Sequence, residues 1–551
     1  MSLTFFPKPF DLGADLRHWA IVMVVIVVVS FLTAIVTSIL ALGFAGPLQV
    51  LAHMIEGFKD LLGTSPRRCL ALTQLTFREA LRRKTLWVFA VFALLFLFAG
   101  WFMSDVTADS QLQVKNYVSF VLRTISWLIL PVALLLACWG LPEDIKARSL
   151  HTVVTKPVRR HEIVIGRILG YSAIAGLVLA VMSVIGILWI NRQLPDDMRS
   201  QLIARVPVYG DIRFVDNDGN DKDNQGNVLT AGINVGDEDM FRSFIEGNTK
   251  ASAIWEFSKL EPKRFDDGGR LKFESSFQSF RTYKGNIERQ LMCQYTLVNP
   301  AKKIRVQLKP FEVHEFRRNV YDVAEQNKTL EDVNHNNEPV DLSAVIEEGT
   351  LQVEVRCLSS AQFLGMARPD LFIRLPDHSF AVSYFKSIVN IGLMMVMVVV
   401  LGVMSGCFAK GPVATMLTAF VILVGLTAHD FMKTLVTGKV AYNPTITVQG
   451  TGVMDSLYRI PKHMTPGVEL DDSFGVRMMK TFDNIELNGL WAIQHVIPDF
   501  ASYDTSEYVA NAFDVPWAAA MLPNLLATLG YCFPWIIVGY FSLRLRELEA
   551  K

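Results

Sequence analysis

The amino-acid sequence predicts a multi-pass α-helical membrane protein of about seven transmembrane helices, with an inserted extracytoplasmic antiparallel β-sandwich domain. Three observations carry that expectation. Just over half of the 551 residues are apolar and only 19% are charged, whereas a soluble chain carries about a quarter; mean hydropathy is +0.31. The apolar residues are clustered in runs of about 20, enough to cross roughly 30 Å of hydrocarbon. Between 191 and 385 the composition turns polar and alternates with period two, as strands buried on one face do.

Seven runs qualify as spans, near 19–43, 85–103, 117–141, 164–190, 386–408, 413–435 and 516–542. The first is too long for the apolar part of a cleavable signal and has no small-residue cleavage site after it, so it reads as a retained helix. Basic residues gather in alternate gaps: Arg67, Arg68, Arg78, Arg82, Arg83 and Lys84 in the first, Lys146, Arg148, Lys156, Arg159 and Arg160 in the third, then Lys410, and finally Arg544, Arg546 and Lys551. The positive-inside rule places those gaps and the C-terminus in the cytoplasm, and the N-terminus outside. The setting is a cell membrane of the bacterial plasma or inner type. The chain divides into 1–64 (an extra helix and linker), 65–190 (an amphipathic segment and three spans), 191–385 (the β-rich domain), 386–435 (a helical hairpin), 436–515 (a second outer segment) and 516–551 (last span and tail).

Within 191–385, acidic residues outnumber basic ones by about five. Leu291, Cys293, Tyr295 and Leu297 share one strand face; so do Ile304, Val306 and Leu308, then Leu351, Val353, Val355 and Cys357, and a shorter set, Leu371, Ile373 and Leu375. Clusters such as Asp216-Asn217-Asp218-Gly219-Asn220 mark the turns. Asp216, Asp218, Asn220, Asp221 and Asp223 resemble a calcium loop, but Asp221 stands where glycine is required and no Glu closes the loop, so a solvated hairpin tip is expected. Cys293 and Cys357 are the only cysteines in the outer domain, which allows a disulfide, although both point to apolar strand faces. Trp255, Phe257, Phe273, Phe277, Phe280 and Tyr283 concentrate aromatic surface whose spacing favours core over ligand stacking.

Two cytoplasmic stretches are informative. Pro66–Lys84 places Leu70, Phe77 and Leu81 as an apolar stripe opposite Arg78, Arg82 and Arg83, an interfacial helix leading into a span. The stretch 141–170 sets Glu143 and Asp144 at a helix start, Arg148 in the same short helix, Lys156-Pro157 as its end, and Arg159–Arg160 before the next span. Gly166 and Gly170, four apart, permit a close helix contact there. A short charged helix between two spans is suited to docking on a cytoplasmic partner, and simple topology signalling is the plainer alternative.

These residues resemble a family. Glu143–Gly170, with its Ser-Leu step, Lys156-Pro157-Val158-Arg159 element and Gly166-Arg167-Ile168-Leu169-Gly170 entry, looks like the cytoplasmic loop of ABC-2-type transporter permeases. Phe77-Arg78-Glu79 with Leu81-Arg82-Arg83-Lys84 resembles that family's elbow helix, Ile497-Pro498-Asp499-Phe500 the element before its last span, and Leu543-Arg544-Leu545-Arg546-Glu547 its exit. The resemblance covers 65–190 and 386–547 and implies a six-helix core plus one helix, with 142–160 as the loop that contacts a separate ATPase. Glu143, Asp144, Arg148, Lys156, Pro157, Arg159 and Arg160 would be the contact residues, and Gly411-Pro412 a second, shorter contact. It further implies a homodimer or a related permease as second half. The extra first helix, the large insert and Asp499 in place of the commoner Asn depart from the pattern, which leaves the substrate unnamed.

Absences narrow the reading. There is no G-x-x-x-x-G-K-[ST], so ATP and Mg belong on the partner chain. Neither H-E-x-x-H nor G-x-S-x-G occurs, His463, His495 and Asp499 have no catalytic spacing, and no Cys/His pattern suits a metal, so this chain is not expected to be an enzyme. With 53 basic and 53 acidic residues, bulk charge gives no sign of nucleic-acid binding. Arg123, inside the third span, must snorkel, pair or face a pathway. A receptor or assembly scaffold, using the outer domain and no substrate path, is the alternative function.

Overall fold

The computed structural model describes residues 11–43, 63–82, 110–146, 158–222, 228–233, 242–260, 270–281, 290–313, 318–327, 329–335, 338–346, 349–437, 439–440, 443–447, 452–464 and 473–549, with isolated positions between them. The chain divides into two compact units, a helical one formed by Met1–Leu202 with Phe380–Lys551, and a β-rich one, Ile203–Ser379.

In the helical unit, α1 (Leu12–Leu42) opens on Asp11, whose carboxylate accepts from Gly13 N at 2.9 Å and Ala14 N at 3.3 Å. It is followed by α2 (Pro66–Arg82), α3 (Ser110–Lys146) and α4 (Arg160–Gln193). After the β-rich unit come α5 (Phe380–Phe408), α6 (Gly411–Thr427) and α7 (His429–Thr437). Then follow α8 (Val453–Arg459), α9 (Phe474–Val496), the short α10 (Ser506–Ala510) and α11 (Leu522–Glu549). Among the described residues four helices are long and apolar enough to cross a membrane, or five if α6 and α7 count as one span. Helices suit hydrocarbon because they satisfy nearly all of their backbone internally.

The structure changes one of the expected spans and leaves another undescribed. The run at 413–435 is not one helix: α6 and α7 meet at Ala428 with a 57° bend. Hydropathy runs on across that point, so composition conceals the break. The run at 85–103 lies largely outside the described residues.

Helices α3, α4, α5 and α11 share one core, which includes Val121, Ile125, Met182, Val398 and Leu543. The second outer segment expected at 436–515 contains helices, and its end is no surface loop. Phe500, Tyr503, Val509, Phe513 and Val515 are buried in the helical unit, and a Cβ on Gly425 of α6 would lie 2.4 Å from Pro498 O. Polar groups fix this element. Tyr503 OH donates to Asn524 O at 3.2 Å, Thr505 Oγ1 to Ser387 Oγ at 3.1 Å, and Asn390 Nδ2 to Thr505 Oγ1 at 3.4 Å. Lys386 Nζ meets Asp514 at 2.7 Å. Each bond matters here, because an unpaired polar group in this setting costs several kcal/mol.

The β-rich unit is antiparallel throughout, with three sheets over one core instead of the two of a simple sandwich. The largest, of eight strands, runs in the order Glu338–Pro339, Glu331–Asp332, Ile304–Gln307, Leu291–Asn299, Leu351–Cys357, Ser252–Phe257 and Asp211–Val215, with Phe311–Val313 also paired to Leu291–Asn299. A four-stranded sheet orders Ile203–Tyr209, Leu371–Ser379, Lys272–Ser275 and Asn319–Asp322, and a three-stranded one Ser243–Glu246, Gln362–Met366 and Gln278–Arg281. The first and last residues of the unit, Ile203 and Ser379, are register partners. Trp255, Phe257, Phe273 and Phe277 lie in the core, Phe280 is partly exposed, and Tyr283 is outside the described residues. Asp216 accepts from Asp218 N at 3.0 Å and Asn220 N at 2.7 Å, closing the hairpin tip, and no metal-holding cluster occurs among the described residues.

No bridge joins the two outer cysteines in this structure. Cys293 and Cys357 are directly opposite on neighbouring strands, yet both are free thiols buried in the core. Burial pushes both thiols up in pKa, so each acts as a small apolar filler.

Asp332 yields a pH prediction. Burial alone would raise its carboxyl, but the N–H groups of Arg305 and Asn334 and the His335 imidazole outweigh it and hold it below the usual range. A group depressed in the folded state contributes stability above its unfolded pKa, about 3.9, and loses it as pH falls through the folded value. Hydrogen-exchange protection of the strands at 304–307 and 331–332 should therefore fall below about pH 4. In Asp332→Asn that acid-dependent part should be absent.

Candidate partner-docking site

Helix α2 is amphipathic, and the residues it buries are Cys69, Thr76 and Ala80, with Leu72, Phe77 and Leu81 packed at the margins. Leu70, expected in the apolar stripe, is 64% exposed instead. The buried face is one of small residues because α2 lies against α4 at close range. A Cβ on Gly166 would come within 2.5 Å of Leu72 Cβ, and one on Gly170 within 2.5 Å of Thr76 Cβ. Two glycines one helical turn apart thus cut a flat track for α2.

Charges hold the two helices at both ends of that track. Glu162, in the first turn of α4, is fully buried. Its Oε1 accepts from Ser65 N at 2.8 Å and from Arg68 Nη2 at 2.8 Å and Nε at 3.1 Å, while Oε2 accepts from Arg159 N at 3.0 Å. One carboxylate therefore caps α4, fixes the entry of α2 and pairs with its arginine. Beside it Thr64 Oγ1 and His161 Nε2 are 2.8 Å apart. Further along, Arg167 Nη1 donates to Glu79 Oε2 at 2.7 Å. Hydrogen bonds to charged partners contribute about 1.5–3 kcal/mol each, so α2 and the start of α4 form one rigid piece.

That piece borders the charged loop. Arg159 and Arg160 lie at the N-terminus of α4, half-buried; Arg78 and Arg82 are exposed on the outer face of α2, with Phe77 half-buried beneath. Arg148, Lys156, Pro157 and Arg83 fall outside the described residues, as does the side chain of Asp144. Glu143 is exposed at the other rim, but the helix start expected there is wrong: α3 runs unbroken through Pro142 to Lys146, so Glu143 and Asp144 are in its last turns. Elsewhere, Arg123 pairs with Glu507 at 3.3 Å in a cleft of about 730 Å³ that Lys115 and Trp127 also line.

A membrane helix entered by a clamped amphipathic helix, and preceded by a charged loop between two long apolar helices, is the arrangement to compare with known families. Residues 70–209 match the family model described as ABC-2 family transporter protein. The ABC-2-like region thus takes in most of α2, all of α3 and α4, and the loop between them. The match supports a permease subunit of an ABC transporter. No curated protein and no solved structure matches the chain.

The clamp of the ABC-2-like region was missed in the sequence. Arg68 and Glu162 are 94 residues apart, and basic or acidic residues before a span read first as topology signals. One sign was present: Glu162 is the lone acidic residue of a long, mainly apolar helix, beside two Gly spaced for helix contact.

Proposed function

We propose that this chain is the transmembrane subunit of an ABC exporter, driven by ATP hydrolysis on a separate subunit that binds ATP and Mg, and that it pairs with a second copy or a related permease. The observation that carries the reading is the rigid α2–α4 junction beside the charged loop, most of which falls in the segment that matches the ABC-2 model. A push on the loop at 142–160 reaches α4 directly and α2 through Glu162, so an ATPase docked there moves two helices at once. In this reading Glu143, Asp144, Arg148, Lys156, Pro157, Arg159 and Arg160 face the ATPase, the loop and the C-terminus are cytoplasmic, and the β-rich unit is extracytoplasmic. The N-terminus is then outside. Catalysis stays on the partner.

Co-purification tests it. The wild-type chain should bring down an ATP-binding subunit in stoichiometric amount, with ATPase activity that survives detergent. The pair Glu143→Lys and Arg148→Glu should lower either capture or ATP-driven flux at least about tenfold, a loss near 1.4 kcal/mol of coupling. Normal assembly and flux in that variant would remove the loop from the interface. Purification with no ATP-binding subunit and no ATPase activity would instead favour the receptor or scaffold.

A further inference from the structure

The segment α7–α9 is built inside out. Its buried residues include Asp455, Arg459 and Asp483, while Leu457, Ile460, Phe474 and Ile485 are each more than 60% exposed. The polar groups serve one another. Asp483 accepts from Met454 N at 2.9 Å and Asp455 N at 3.0 Å, capping α8 from α9, and Arg459 Nε bonds both oxygens of Asp455 at 2.9 Å. With the polar groups satisfied inside, the apolar side chains are what the segment presents.

They are not scattered. On α9, Phe474, Met478, Phe482, Ile485 and Ile493 are exposed along one face, at the spacing of a helical stripe. Arg477, Lys480, Asn484 and Asn488 are exposed on a second face. Val476 and Asp483 are buried on a third. A soluble helix has two faces, core and water; a third, exposed and apolar, needs another solvent.

The surroundings identify that solvent. Helix α7 leaves α6 at the 57° bend, and α6 itself exposes Val413, Met416, Phe420 and Leu423, an apolar face fit for lipid. The far end of α9 carries aromatic residues of the interfacial kind: Trp491 is stacked near His495 with ring centroids 4.4 Å apart, and Tyr531 OH of α11 donates to His495 O at 2.6 Å. Trp19 Nε1 of α1 donates to Gly530 O at 3.2 Å. The far end of α9 is thus held against the middle of the spanning helix α11 and near the start of α1, so α9 lies alongside the apolar layer of the membrane and its boundary.

We propose that α7, α8 and α9 form a platform seated in that boundary, with the Phe474–Ile493 stripe immersed among lipid acyl chains and the Arg477–Asn488 face in water. The bilayer is the occupant because α9 packs against α7, which continues the spanning helix α6 with its exposed apolar face, and is tied at its far end to the spanning helix α11. The platform would set the depth of the 498–516 element, which begins two residues after α9 ends.

Nitroxide labels on single added cysteines test it, in the full chain reconstituted into phosphatidylcholine–phosphatidylglycerol vesicles, with the signal of the unsubstituted chain subtracted. Collision with oxygen should exceed collision with a water-soluble nickel chelate at 474, 478, 482 and 485, and the order should reverse at 477, 480, 484 and 488. Phe420→Cys is the control for the membrane itself. Nickel collisions dominating along the stripe while 420 stays oxygen-accessible would overturn the platform. So would a stripe closed to both reagents, which would mean a protein partner such as a second copy. Nickel dominating at 420 as well would overturn the membrane assignment of α6 and the platform with it.

Discussion

Glu162→Ala is expected to destabilise the helical unit by about 1–3 kcal/mol, the cost of leaving hydrogen-bond donors without their acceptor; Arg68, itself 35% exposed, is partly rescued by water. The physical reason is the number of donors it leaves behind. Ser65 N, Arg159 N and the Arg68 guanidinium all point at a carboxylate that water cannot easily replace. The native Cys69 thiol, buried on the same face of α2, reports the release of that helix. Its labelling by maleimide should accelerate in the variant while the melting temperature in detergent falls. The exchange of charges, Arg68→Glu with Glu162→Arg, should not restore either measurement, because an arginine cannot accept from the two backbone N–H groups. Full rescue by the exchange would reduce the clamp to a simple ion pair.

Gly170→Leu should act on the same contact by overpacking. Even a single carbon at 170 would meet Thr76 Cβ at 2.5 Å and Thr73 O at 3.1 Å, and the second of these is backbone, which yields poorly. Forced insertion costs about 1–3 kcal/mol when neighbours can move, and here α2 as a whole would have to lift. Gly176→Leu is the matched control: it is on the same helix, with nothing within 4 Å of its Cβ position. The expected outcome is faster Cys69 labelling and loss of ATP-driven flux for Gly170→Leu, with Gly176→Leu close to wild type. Equal effects at the two positions would point to helix propensity, not to the α2 contact.

What the sequence disclosed follows from the range of each signal. Period-two alternation is local, and Leu351, Val353, Val355 and Cys357 are all buried on the strand where it placed them. Apolar runs are local too, so α3, α4, α5 and α11 occupy expected positions. The bend at Ala428 was hidden because its neighbours keep the hydropathy high on both sides. Glu143 and Asp144 were misplaced because Pro142 reads as a helix breaker, while a long packed helix accommodates it. Glu162 was overlooked since its partners come from far along the chain. The three-faced pattern of α9 was present in the letters, but a search for spans and strands passes over an amphipathic helix inside a presumed loop.

The register pair Ile203–Ser379 has a consequence for how such a molecule could arise. Opposed residues on antiparallel strands have Cα atoms only about 5 Å apart, so the β-rich unit enters and leaves the chain through a single doorway. A gene fragment encoding it could be gained, lost or exchanged between Leu202 and Phe380 without rerouting any helix. The β-rich unit and the helical unit are therefore free to change on separate evolutionary clocks.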